Sequence, residues 1–332
     1  MEATRKEVED QKDKKVAFSV VKPRRPLLKR KWTILDRRSA GAILFLHLLS
    51  LLAPFHCNWA AFWVAFALYF ITGLFGITLS YHRNLAHKSF KLPKWLEYAF
   101  AYLGVHAFQG DPIDWVSTHR YHHRFVDTER DPHSPLEGFW FSHIIWMFDA
   151  YALTEKVCPK NVQDFKERDA KRKRFSNIFV GFVKYGRPNN VEDLQKQAFY
   201  RFLRKTYILH PTALAIVLYA TGGLPFLVWG MGVRLVWVLH ITFFVNSACH
   251  IWGYRRWDTN DLSKNNWWIG LLAFGEGWHN NHHAFEYSAR HGLQWWEFDL
   301  TWCVVLVLQA LGLATDVKLP SQIHKQKLAL HN

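Results

Sequence analysis

Four apolar runs, set in two close pairs, put the strongest limit on what this 332-residue chain can fold into. They cover about 40–55 and 59–80, then 206–224 and 226–251. A helix needs about 20 apolar residues to cross the hydrocarbon of a bilayer, so the first run is barely long enough. Residues 54–58 break the first pair, and Gly222-Gly223-Leu224-Pro225 breaks the second. The expected fold is therefore all-α and integral to a membrane, with two helical hairpins crossing four times. The long polar segments between and after the hairpins form a helical cap on one side.

Composition fits that plan. Half of the chain is hydrophobic and 17% is aromatic, with 17 Trp and 26 Phe. Tryptophan collects where membrane meets water. Mean hydropathy is only −0.12, so the apolar spans alternate with strongly polar stretches. The net charge of +15 comes mostly from residues flanking the spans, not from one basic stripe. That pattern argues against nucleic-acid binding and for the cytosolic flanks of a bilayer protein. It also suits an anionic acyl carrier.

The expected organisation is a basic, disordered cytosolic arm over 1–38, one membrane domain over 39–318, and a polar tail over 319–332. Four crossings leave both termini cytosolic. The apolar stretches 98–108 and 301–313 are short enough to lie on the membrane. The basic 156–205 segment, with Lys171-Arg172-Lys173-Arg174, reads as a solvated loop. Cys57, Cys158, Cys249 and Cys303 are scattered and form no CxxC pair, which excludes a thiolate zinc framework. The first 38 residues lack a secretory apolar core, and Glu2, Glu7, Glu9 and Asp10 are unlike a transit peptide. An endoplasmic reticulum membrane is the expected location, with a plastid membrane as the alternative.

The chemistry sits in histidine. Three tight groups occur: His82 with His87, then His119, His122 and His123, then His279, His282 and His283. On a helix each residue advances about 100°, so HxxHH presents imidazoles on one face. The five-residue spacing of the first group does not share a face, which puts His87 just past a helix end. Eight clustered imidazoles exceed one metal's coordination, and two metals fit the count. Imidazole suits iron, copper, zinc and nickel. One Glu-x-x-His, at Glu276 and His279, is too few for a carboxylate-bridged di-iron bundle. HExxH is absent, so a zincin is not indicated. His250 lies in the fourth span one turn after Asn246, and polar groups at membrane depth are costly. Asp127, Asp131 and Glu276 are candidates to orient imidazole N–H groups. The other histidines default to structural roles, with His47 and His240, inside apolar spans, as the exceptions to watch.

The ordered boxes HxxxxH, HxxHH and HxxHH resemble the membrane fatty acyl desaturase family over about residues 35–318. The segments GDPIDWVSTHRYHH from Gly110 and GEGWHNNHHAFE from Gly275 are similar to its delta-9-type branch in plant and cyanobacterial form. The resemblance implies two iron ions held by His82, His87, His119, His122, His123, His250, His279, His282 and His283, with Asn246 acting through a water. It implies a bent acyl tunnel shaped by Gln109, Trp115 and Thr242. Phe70 and Leu74, on the second span, would close its far end and limit chain length. Acyl-CoA members from animals carry Arg-Asp before the second box, where this chain has Ser117-Thr118. The carrier, CoA or a glycerolipid, stays open.

An alkyl chain has no acidic proton, so the implied reaction uses O2 and two external electrons to take one hydrogen from each of two adjacent methylenes. A cis double bond and water result. Cytochrome b5 is the expected electron donor, or ferredoxin in a plastid. The rival readings are a hydroxylase or sterol methyl oxidase on the same site, and a membrane metal transporter. A transporter would place its ligands along a pore inside the bilayer.

Overall fold

The computed structural model describes residues 30, 32–157 and 189–330, and among these it contains helices and no strand. Residues 1–29, the basic run 171–174, Cys158 and His331 lie outside the described residues. Helix α1 (Ile34–Ser50) starts several residues before the apolar run. The cause is a capping box: Asp36 N–H donates to Thr33 Oγ1 at 3.1 Å, and Thr33 N–H donates to Asp36 Oδ2 at 2.8 Å. Asp36 Oδ1 also accepts from Ala150 N–H at 2.8 Å, tying α1 to helix α6 (Ala150–Val157).

Two helical stretches are long and apolar enough to cross a membrane, Trp59–Ala86 and Leu209–Ile251. The first is α2. It is α-helical over Trp59–Tyr69 and wound with i→i+5 hydrogen bonds, as a π-helix, over Phe70–Ala86. It packs on α3 (Lys94–Val105) where Gly76 and Gly104 let the backbones touch: a Cβ on Gly76 would lie 2.5 Å from Gly104 Cα. The second stretch has 43 residues, which at an α-helical rise is about 65 Å, twice a bilayer's hydrocarbon. It breaks at Gly223, whose φ of 65° and ψ of −155° are not helical. The chain folds back there, so Leu218 packs on Gly230. The turn expected at Gly222–Pro225 falls at this break. Helix α8 (Leu209–Leu227) precedes a π-wound turn (Val228–Val233) and α9 (Arg234–Ile251). Leu235, Leu239 and Phe243 of α9 share a core with Leu46 and Leu49 of α1.

The polar segments fold over one end of these helices. Helix α4 (Pro112–Phe125) is capped by Asp111, whose carboxylate accepts from Ile113 and Asp114 N–H. Its Ile113 and Val116 pack with Tyr81 and Leu85 of α2. Helix α5 (Phe139–His143) lies between α4 and α6 in the chain, and α7 (Ala198–Thr206) packs by Tyr200 and Leu203. The rest is α10 (Trp267–Leu272), α11 (His279–Ala284), α12 (Leu300–Ala310) and α13 (Gln322–Leu328). The two apolar stretches expected at 98–108 and 301–313 are α3 and α12.

Replacing Gly76 with Val drives a side chain into the Gly104 backbone, which has no rotamer to give. The expected loss is about 3 kcal/mol, read as a lower thermal unfolding midpoint in detergent. An unchanged midpoint would contradict this packing.

Candidate metal centre

Four helices bring the histidines together. In α2 the π winding matters most. His87 N–H donates to His82 O, five residues back, at 3.1 Å, and the two ring centroids are 4.9 Å apart. On an α-helix that spacing would turn the rings away from each other; i→i+5 winding brings them to one face. His87 closes the helix just past its end, as its spacing implied. Helix α4 supplies His119, His122 and His123, short α11 supplies His279, His282 and His283, and α9 ends on His250.

The nine sort into two groups. One ring nitrogen from each of His82, His87, His119, His123 and His282 lies within 4.8 Å of the others, and the same holds for His122, His250, His279 and His283. Carboxylates hold the outer nitrogens. His82 Nδ1 is 2.6 Å from Glu276, His122 Nδ1 is 3.0 Å from Asp131, and His250 Nδ1 is 3.2 Å from Asp127. His283 Nδ1 is 2.9 Å from Asp261, and His123 Nδ1 is 3.3 Å from the exposed Glu286. Asp131, Asp127 and Asp261 accept hydrogen bonds from the Nδ1 of His122, His250 and His283, which leaves the Nε2 of those rings as a lone pair.

That tautomer tests the site for a metal. His282 Nε2 sits 3.1 Å from His82 Nε2 and 2.9 Å from His123 Nε2. His283 Nδ1 is hydrogen-bonded to Asp261, which leaves its Nε2 buried with no hydrogen-bond partner among the described residues, a lone pair that a cation would satisfy. Burial first, and then the charges of neighbouring imidazoles, push His87, His119, His123, His279 and His282 well below their ordinary value. They are neutral at physiological pH, the state a metal needs. The all-nitrogen donor set fits iron.

Arg83, beside His82 and fully buried, fastens the first group. It pairs with Glu276 at 3.1 Å and Asp299 at 2.9 Å, and donates to Ala289 O at 2.7 Å. Burial alone would raise the Glu276 carboxyl, but His82 and Arg83 hold it well below the usual range. Reading the sequence missed Arg83, Asp261, Glu286 and two further histidines. His291 lies 3.2 Å from Glu276 and stacks on His282, and His133 joins Asp131 and His122. Arg83 lies inside the first box and Glu286 closes the segment that carries the third, but neither position has a spacing that marks it, and Asp261, His133 and His291 lie outside the boxes. His47 and His240 bond each other at 3.0 Å and continue to His143 at 2.9 Å, a chain outside both groups.

Two apolar cavities lie beside the centre. One is lined by Tyr69, Gly73, Ile77, Val238, Ile241 and Phe274, the other by Gln109, Gly110, Trp146, Met147 and Leu239. Both are walled by Trp115, His119, Thr242 and Asn246, which form the corner between them. At this corner Gln109 Nε2 donates to Thr242 Oγ1 at 2.8 Å and Trp115 Nε1 donates to Gln109 Oε1 at 3.2 Å. Asn246 faces the cavity beside His119 and His122. At the far end, Tyr69 and Gly73 line the wall, while Leu74 is buried off it. Phe70 stacks on the lining residue Phe274, with centroids 5.1 Å apart.

Two buried imidazole groups with nitrogen-only donors, set beside an apolar cavity in an all-helical chain, are suited to hold metal next to an apolar ligand. Comparison with known proteins is specific. The fatty acid desaturase profile matches residues 57–306. A chloroplastic palmitoyl-monogalactosyldiacylglycerol delta-7 desaturase of Arabidopsis thaliana is 63% identical over 90% of this chain and 73% of its own. An acyl-CoA 5-desaturase of Anemone leveillei is 55% identical over 86% and 81%. Delta-9 acyl-lipid desaturase 1 of Arabidopsis thaliana is 50% identical over 99% of both chains. The chain belongs to the fatty acid desaturase family, and it is an oxidoreductase of that kind.

Glu276→Gln keeps the shape of the side chain but removes the charge that faces His82 Nδ1 and pairs with Arg83. Metal affinity is expected to fall roughly 10–100-fold, measured by metal analysis after dialysis against a graded chelator. Full metal retention would contradict the role of this carboxylate.

Proposed function

We propose that this chain is an O2-dependent desaturase with a di-iron centre that places a cis double bond, of delta-9 type, in a saturated fatty acyl chain. The observation that carries the proposal is the convergence of nine imidazoles beside an apolar cavity. One iron would be held by His82, His87, His119, His123 and His282, the other by His122, His250, His279 and His283 with Asn246 through a water. Bound there, the irons supply the O2 activation that acid–base chemistry cannot provide for an alkane.

The chain's own residues do the rest. Gln109, Trp115 and Thr242 hold the corner rigid, so a methylene pair lodged there faces both groups while the two cavities keep the chain from sliding. Asp127, Asp131 and Glu276 fix the imidazole tautomers. Apolar walls exclude water from the reacting carbons.

Carrier and membrane placement follow the same line. Ser117 is buried and donates to Asn190 Oδ1 at 2.6 Å, and Thr118 Oγ1 donates to Asp114 O at 2.8 Å. Neither hydroxyl is free to serve a CoA carrier, which favours a glycerolipid; the relatives include enzymes named for both carriers. The break at Gly223 supports four crossings: α1, α2, α8 and α9. Trp59–Ala86 would cover about 42 Å at an α-helical rise, longer than the hydrocarbon layer, so its His82 end stands in a cytosolic cap. We assign the domain to 39–318, in the endoplasmic reticulum or a plastid membrane.

Expression in a yeast lacking its own desaturase, with lipid classes separated before mass spectrometry, tests this. New cis-monounsaturated chains are expected, and His122→Ala should abolish them while the protein still inserts. Hydroxylated products, or full activity of the variant with normal iron, would overturn the proposal.

A further inference from the structure

The desaturase reaction needs two electrons from outside, yet both histidine groups are deeply buried. A cleft of about 610 Å³ lies on the protein's surface behind the third histidine box. Its walls are the segment Tyr254–Trp257, residues 293 and 294, and α13. Arg255, Arg256 and Lys325 line it, and Arg290 stands close by. None of these four cations has a carboxylate partner among the described residues. Arg255 and Arg290 are held by backbone carbonyls instead, of Thr259, Gly292 and Gln294. Of the carboxylates nearby, Glu297 is buried and turned inward to Tyr254 Oη and Asn281 Nδ2, and the exposed Asp258, whose N–H donates to Leu328 O, forms no ion pair among the described residues. Burial first, and then Arg290 and Arg256, lower the Lys325 ammonium.

The floor of the cleft reaches the centre in one step. Trp257 is 4% exposed and lies under the Arg256 guanidinium, 5.5 Å from its ring centroid. Its Nε1 donates to Asn281 Oδ1 at 2.8 Å. The backbone N–H groups of Arg256 and Trp257 both donate to Asn280 Oδ1 at 2.8 Å. Asn280 and Asn281 are the two residues between His279 and His282 in α11. Trp257 is thus hydrogen-bonded through its indole to the neighbour of His282 and through its backbone to the neighbour of His279.

We propose that this cleft docks an acidic one-electron carrier protein, and that Trp257 and Asn281 lead its electron to the histidine groups. The proposal rests on the desaturase reading. Two carriers are oxidised per turnover, by one electron each. Those two electrons, two solvent protons and the two hydrogens leaving adjacent methylenes reduce one O2 to two waters, and the carbon pair becomes a double bond. A haem carrier and an iron–sulfur carrier share the acidic surface this cleft would recognise.

The test uses the full chain, iron-loaded, in lipid nanodiscs. The probes are the soluble haem domain of cytochrome b5 and a plant-type ferredoxin. Dissociation constants are measured at low and high salt for the wild type, for Arg256→Glu with Lys325→Glu, and for the milder Arg256→Gln with Lys325→Gln. Dithionite with methyl viologen supplies electrons without docking. At least one carrier is expected to bind the wild type less tightly as salt rises. Charge reversal should weaken it roughly tenfold or more, with the Gln pair in between. Dithionite-driven desaturation should stay unchanged in both variants. Unchanged affinity in the reversed variant, no binding of either carrier, or loss of dithionite-driven desaturation in the variants would overturn the docking assignment. A wild type inactive with dithionite would instead overturn the desaturase reading, while the binding constants still judge the cleft.

Discussion

The structure turns on a crowding of lone pairs. Asp131, Asp127 and Asp261 fix protons on the outer nitrogens of His122, His250 and His283, so the inner nitrogens of these rings are lone pairs crowded among other imidazoles. In a dry interior such an arrangement is unfavourable unless a cation fills it. Everything nearby serves to keep it assembled. Arg83 anchors Glu276 and Asp299; Asp299 in turn takes N–H bonds from His291 and Gly292 and caps α12. One buried guanidinium therefore links the first box, the third box and the last apolar helix.

Much of this was legible in the sequence. The apolar runs located the two long apolar stretches and the break at Gly223, because a run of about bilayer length and a Gly-Pro break are local signals. The HxxHH boxes declared themselves by i, i+3, i+4 spacing. HxxxxH did not, since its sense depends on a π-helix that no propensity announces. His250 and Asn246 stood out only as polar residues in a span, and resemblance to the desaturases carried them further. The start of α1 was set by the Thr33–Asp36 capping box, which a hydropathy reading passes over. Asp261, Glu286, His291 and Arg83 act across long stretches of chain, and no spacing rule reaches that far. At the cavity's end the same helix side was expected, but π winding shifts the lining from Phe70 and Leu74 to Tyr69 and Gly73.

Selectivity has a compact physical origin. The corner residues Gln109, Trp115 and Thr242 bond only to one another and to nearby backbone, so the bend is rigid without substrate. A flexible acyl chain must lose conformational freedom to follow it, and the apolar walls offset that cost by burial. Relatives at 50–63% identity bear delta-5, delta-7 and delta-9 names.

Anomalous diffraction from the purified, iron-loaded protein, recorded on both sides of the iron absorption edge, is the most direct measurement. Two separate peaks are expected, one enclosed by His82, His87, His119, His123 and His282 and the other by His122, His250, His279 and His283. A single peak, or iron found anywhere other than within these two groups, would contradict the account.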